Sequence, residues 1–341
     1  MKSALKTSEI DMEAQSGDVV RLRPARADDI TIAWDGATQS EWDEVCGTAA
    51  TAPVYQSFAY GEALVQMGRH IIRARLFSGD ALIGVALIET RKLLGVFTLA
   101  HIMRGPVWAR SDTTDEIKIA TVEAIRKNLP VRGAHALVIL PDGANETFLK
   151  PAGYKCVMSG YHTALLDISG DEAALYDRLN GKWRNRLRAA QKTDLRILPI
   201  SKKPEKYAWL LEKEGARQQT LGYRTHANTI APLYQSVVGK RSLFAFEAKQ
   251  GTERVGGVLF LKHGHNATYH IGWTSDEGKM LNANNLLLWH AIKVLKKEGV
   301  RILDLDGLNT DFNPGIARFK IGTGARVISM SGAWTKGPRW K

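Results

Sequence analysis

The sequence predicts a mixed α/β protein made of two similar units in tandem. Three observations carry this expectation. The chain has 341 residues, 44% of them hydrophobic, enough for two ordinary domains with real cores. The same order of elements occurs twice. Short matches between the halves keep a nearly constant offset: Ile83-Gly84 with Val255-Gly256, Ala124-Ile125-Arg126 with Ala291-Ile292-Lys293, and Asp142-Gly143 with Asp306-Gly307. That period is far too long for a solenoid and fits a duplication at domain scale.

In the first half, "GDALIGVALIET" and "GVFTLAHIMRGPVW" read as two strands. "SDTTDEIKIATVEAIRKNL" opens on capping residues and continues as an amphipathic helix. "AHALVIL" is a buried strand ending at Pro141-Asp142-Gly143. The second half repeats the series: "RVGGVLFLKHG" and "NATYHIGWTS" as strands, "NANNLLLWHAIKVLKKEG" as a helix with a glycine stop, and "VRILDLDG" as a strand. Each hairpin is antiparallel, and each strand–helix–strand step implies a parallel neighbour. The expected division is a frayed N-terminus over residues 1–18, a first domain over 19–158 and a second over 159–341.

Charge and cysteine usage narrow the function classes. The formal net charge of +12 favours an anionic partner such as a nucleic acid, nucleotide or phospholipid. Two widely separated cysteines, Cys46 and Cys156, argue against a disulfide framework and fit a reducing cytoplasm. No His or Cys spacing points to a metal. The start of the chain does not read as a signal peptide, and no apolar run is long enough to cross a bilayer.

"GKWRNRLRAAQK", residues 181–192, is the most unusual stretch. From Arg178 to Lys192, both included, there are six cations and no acid. On a helix, Trp183, Leu187 and Ala190 form one apolar stripe. Lys182 and Arg186 flank it on one side, and Arg184, Arg188 and Lys192 lie on the far side. Like charges four residues apart destabilise a helix slightly. An anion bound there would explain them; a solvated face is the plainer explanation.

"GKWRNRLRAAQK", "ATYHIGWTS", "NANNLLLWHAIKVLKKEGVRILDLDG" and "NPGIARFKIGTGA", taken in this order, resemble the FemABX-like family of tandem GNAT-fold N-acyltransferases. "VYQSFAYGEAL" and "IMRGPVW" resemble its N-terminal segments. The resemblance spans roughly residues 20–335. It implies two tandem GNAT-like domains forming one compact unit. No long helical pair is visible, so the coiled-coil arm of some members is absent. The implied activity is transfer of an aminoacyl group from aminoacyl-tRNA to an amine of a peptide or cell-wall precursor. The sequence departs from the family at Asp306, where glycine is common, and at Tyr60, where tryptophan is usual.

Two alternatives remain: an acyl-CoA-dependent N-acyltransferase acting on a small amine, and a non-catalytic binder of RNA or another anion. Acyl-CoA enzymes cradle the pyrophosphate on a glycine-rich turn before a helix. The equivalent stretch here, "DEGKMLNANNLLLW", has one glycine. That gap counts against CoA, and the co-substrate the resemblance implies is aminoacyl-tRNA, with acyl-CoA as the alternative and no bound cofactor.

Direct attack by an amine on an activated carbonyl needs an oxyanion donor and a group that takes a proton. By resemblance Lys320, between a proline–glycine turn and two glycines, is the oxyanion donor, and Phe319 lines the site. Asp304 and Asp306 end a buried strand, and alternation puts both on one face, where they could orient or deprotonate the amine. Asp304 capping its own turn is the plainer reading. The expected substrate-binding residues are Lys182, Arg184, Arg188, Tyr269, Trp273, Asn284, Asn285, Phe319 and, for an acceptor phosphate, Arg104. Tyr269 as core, the asparagines as helix caps and Arg104 as a salt bridge are the plainer readings.

Overall fold

The structure, a computed structural model, describes residues 25–49, 52–110, 113–143, 148–222, 225–308 and 314–340. The expected frayed segment 1–18 lies outside them. The first half contributes β1 (Ile30–Trp34), α1 (Gln39–Thr48), α2 (Phe58–Gln66), β2 (His70–Ser78), β3 (Ala81–Leu93), β4 (Phe97–Met103), β5 (Val107–Trp108), α3 (Asp115–Asn128), β6 (Ala134–Leu140) and β7 (Lys155–Met158). The second contributes β8 (His162–Asp167), α4 (Glu172–Asp177), α5 (Gly181–Gln191), β9 (Arg196–Pro199), α6 (Pro204–Leu221), α7 (Ala227–Val238), β10 (Leu243–Gln250), β11 (Glu253–His263), β12 (Asn266–Thr274), α8 (Asp276–Met280), α9 (Ala283–Lys297), β13 (Ile302–Leu308), α10 (Pro314–Ile321), β14 (Arg326–Ser329) and β15 (Ala333–Thr335).

Two mixed sheets result. The first runs β1-β2-β3-β4-β6-β15-β7, with β5 on β3; the second runs β14-β8-β13-β12-β11-β10-β9. They change over between β7 and β8. The last strand departs from the expected 159–341 unit: β15 returns to the first sheet and lies antiparallel between β6 and β7. Burial explains this return, since the Trp334 side chain is packed among the residues of the first core.

The two sheets share one plan and differ where it matters. In the first, β4 and β6 pair in parallel over their full length, from Phe97 with Ala134 to Met103 with Leu140. In the second, β12 and β13 pair only from Asn266 with Ile302 to Thr268 with Asp304, and then separate. On the other side of β12 the ladder skips a residue. Leu259 faces Ile271 and Phe260 faces Tyr269, leaving His270 as a β-bulge. A bulge bends its strand and re-aims nearby side chains. The bulge and the splay together open a cleft in the second unit, where the matching strands of the first stay paired.

Candidate active site

The splay opens into a cavity of about 830 Å³. Its wall draws on both halves. Tyr55 and Tyr60 come from the first; Tyr269, His270, Asn284, Asn285, Asp306, Phe319 and Lys320 come from the second. Tyr269 crosses the strand so closely that a Cβ at Gly272 would collide with its hydroxyl. Glycine at 272 is therefore a steric requirement of the tyrosine's position.

Lys320 sits near the end of α10, nearly two turns after Pro314, and the proline–glycine pair expected as a turn opens the helix instead. Proline is well suited to the first turn of a helix. The Lys320 side chain is buried, and its Nζ donates a 2.9 Å hydrogen bond to the Gly307 carbonyl. Burial pulls its pKa below the ordinary lysine value, while the Asp306 and Asp304 carboxylates act in the opposite direction. α10 is held by α5. The Trp183 ring stacks on Phe319 at 6.0 Å, and Trp183 Nε1 donates to the Phe319 carbonyl at 3.1 Å.

The two aspartates do not share a face. Asp306 has φ = +64°, which breaks the strand alternation and turns its side chain into the cavity. Asp304 points the other way, into a buried polar hub between the halves. Arg104 Nη1 donates to Asp304 Oδ2 at 2.5 Å, and Arg104 Nε donates to Asp142 Oδ1 at 2.7 Å. Asp304 Oδ1 accepts from the Thr163 hydroxyl at 2.7 Å and the Asp306 amide at 2.8 Å. Burial acts to raise the Asp304 pKa, but Arg104, Thr163 and the Asp306 amide outweigh it and hold the carboxyl below its usual range. Neither Asp304 nor Arg104, expected as a catalytic and a phosphate-binding residue, lines the large cavity; the two form a buried ion pair beside it.

The cationic helix is placed against the cavity, but by a different residue than expected. Trp183, Leu187 and Ala190 are its buried stripe. Arg186 lines the cavity; Lys182, Arg184 and Arg188 do not. Arg188 instead donates to the Tyr176 hydroxyl at 2.7 Å. Trp273 also turns away from the cavity and packs edge-on against Trp209 of α6. Arg217 and Glu214 of α6, together with Tyr55, Tyr60 and Arg186, are cavity residues the sequence reading did not select. The signal available for Arg186 was its position on one flank of the stripe; α6 carried none.

The start of α9 completes the wall. Asn282 has φ = +56° and makes no side-chain cap. The Asn284 side-chain oxygen accepts a short hydrogen bond from the Thr274 hydroxyl. The buried Asn285 has no partner for its side-chain nitrogen among the described residues. A helix N-terminus with a spare amide donor suits a carbonyl or a phosphate. His270 donates from Nε2 to the Ala227 carbonyl at 2.7 Å, and burial keeps its pKa below the ordinary value. Among the described residues no cluster of three His, Cys, Asp or Glu side chains could hold a metal. No helix among them is long and apolar enough to cross a membrane.

Comparison with known proteins agrees with this geometry. A sequence model of the acetyltransferase (GNAT) domain matches residues 179–320, which contain the splayed strands and α10 as far as Lys320. The crystal structure of FemX superposes with a TM-score of 0.72 at 16% identity, covering 89% of this chain and 96% of FemX. The fold is that of a FemABX-like tandem GNAT protein. A tandem GNAT protein from the clavulanic acid biosynthesis pathway superposes at 0.52 with 14% identity, covering 90% of this chain and 98% of its own. A conserved protein of unknown function from Bacteroides thetaiotaomicron also superposes at 0.52, with 11% identity over 89% and 99%. No curated protein matches the chain in sequence. The domain match and the tandem GNAT fold support N-acyl transfer in general.

Proposed function

We propose that the chain moves an aminoacyl group from aminoacyl-tRNA to an amine of a peptide or cell-wall precursor by direct attack. The observation that carries this reading is the cleft between β12 and β13, with a buried lysine, Arg186 and Arg217 in its wall. The amine nitrogen bonds to the ester carbonyl carbon, and the developing oxyanion is stabilised by the Lys320 ammonium. Asp306 takes the proton that the amine loses. The ester C–O bond then breaks, and the departing ribose oxygen takes that proton from Asp306, leaving as the hydroxyl. Asp304 contributes by fixing the Asp306 backbone through its 2.8 Å hydrogen bond.

The donor preference rests on α8 and Gly278. The place where a glycine-rich phosphate cradle would run is occupied by a short helix, and Gly278 is wedged against the Val255 carbonyl. The open α9 N-terminus with the unpartnered Asn285 amide favours a second reading, in which acyl-CoA is the donor to a small amine. Incubation with charged tRNA and, separately, with acyl-CoA, followed by mass analysis of amine acceptors, distinguishes the two. Acyl transfer only from CoA overturns the tRNA reading; binding of RNA without transfer from either donor overturns both.

A further inference from the structure

One end of the first sheet carries an apolar tip inside a ring of positive charge. Leu94 is 98% exposed, Val96 75% and Trp340 81%. Strand register brings them together. Leu93 pairs with Phe97 across the β3–β4 hairpin, Phe97 pairs with Ala134 at the start of β6, and His135 bridges to Arg339. The hairpin tip, the start of β6 and Trp340 therefore sit on neighbouring strands at one end.

The surrounding side chains have one sign. Arg91, Lys92, Lys127 and Arg132 are exposed and Arg339 is half-buried. None of residues 91–97, 127–133 and 339–340 is acidic. The tip is also built against local preference. Leu94 has φ = +51° beside Gly95 at +73°, a conformation that a leucine rarely adopts and that asparagine or glycine takes readily. None of these residues lines the large cavity.

We propose that this end of the first sheet docks on an anionic phospholipid bilayer. Leu94, Val96 and Trp340 enter the headgroup boundary while Arg91, Lys92 and Arg132 meet lipid phosphates. Charge complementarity selects this occupant. Exposed aliphatic and indole side chains flanked by cations, with no acid in the segments that carry them, match an anionic interface. A second copy would bring its own five cations against these five, and like charges facing each other oppose pairing.

The test is flotation of the full chain with vesicles of phosphatidylcholine alone and of phosphatidylcholine mixed with phosphatidylglycerol. The chain is expected to float with the mixed vesicles only, and less as salt rises. The variant Leu94→Asn, Val96→Ser, Trp340→Ser is expected to bind about tenfold less, and so is the variant Arg91→Gln, Lys92→Gln, Arg132→Gln. Asparagine suits the positive φ at 94, so the first variant relieves the turn, and the second leaves the tip's shape intact. Failure of the unmodified chain to float overturns the proposal, as does unchanged binding by either variant. A dimer in sedimentation velocity that dissolves in the apolar variant overturns it in favour of a second copy.

Discussion

At the scale of single residues, burial sets the chemistry of Lys320 and His263. Lys320 must be protonated to donate to an oxyanion, and burial lowers its pKa. Turnover is therefore expected to fall as pH rises through a value below that of an ordinary lysine. In Lys320→Arg this alkaline limb should vanish, because guanidinium stays charged. A pH–rate profile that is identical in the two proteins would separate Lys320 from the reaction. His263 is buried beside Arg104 and Asp304, and burial takes its pKa down to about 4 from an ordinary 6.5. The unfolded chain then binds the proton more readily, so stability declines as pH falls from 6.5 toward 4. The expected loss is about 2–3 kcal/mol, read from urea unfolding at stepped pH. His263→Gln should flatten that decline, and an unaltered slope would point to other groups.

Between elements, the Arg104 hub and the α5–α10 contact are the two joints that aim the site. Arg104→Met leaves Asp142 and Asp304 facing each other without their shared cation. Its expected effect is a loss of about 3–5 kcal/mol in urea unfolding. Adding Asp142→Asn and Asp304→Asn should restore part of that loss. Arg186→Ala is expected to weaken donor binding and lower the salt slope by about one unit, whereas Arg188→Ala leaves the slope unchanged. Equal effects would mean that α5 acts as a diffuse charged surface. The sequence made the apolar stripe of α5 readable, because Trp183, Leu187 and Ala190 follow helical spacing. It could not say which flank meets the cavity, since that depends on Trp183 stacking on Phe319, 136 residues away. The Arg104–Asp304 pair spans 200 residues and was equally hidden. Alternation failed at Asp306 because its backbone is left-handed; the aspartate itself and the glycine common there in the family were the signals available.

Across the whole molecule, one plan occurs twice with different strand pairing at the step from helix to last strand. The order of strands and helices was legible in both halves because hydrophobic periodicity and turn residues repeat. Which half holds the cleft was not, because splay is a matter of how far β12 and β13 stay paired. The return of β15 was also invisible, since a three-residue strand carries little pattern. Trp334 anchors that return in the first core, and Trp334→Ala is expected to destabilise the fold by about 3–5 kcal/mol in urea unfolding. A change below about 1 kcal/mol would mean that the strand is peripheral to the first unit. The central claim, an amine meeting an activated carbonyl beside one buried lysine, is tested most directly by single-turnover transfer from charged tRNA with the unmodified chain and with Lys320→Ala. The account predicts a rate about a hundredfold lower in the variant, with an unchanged circular dichroism spectrum; transfer at the unmodified rate would contradict it.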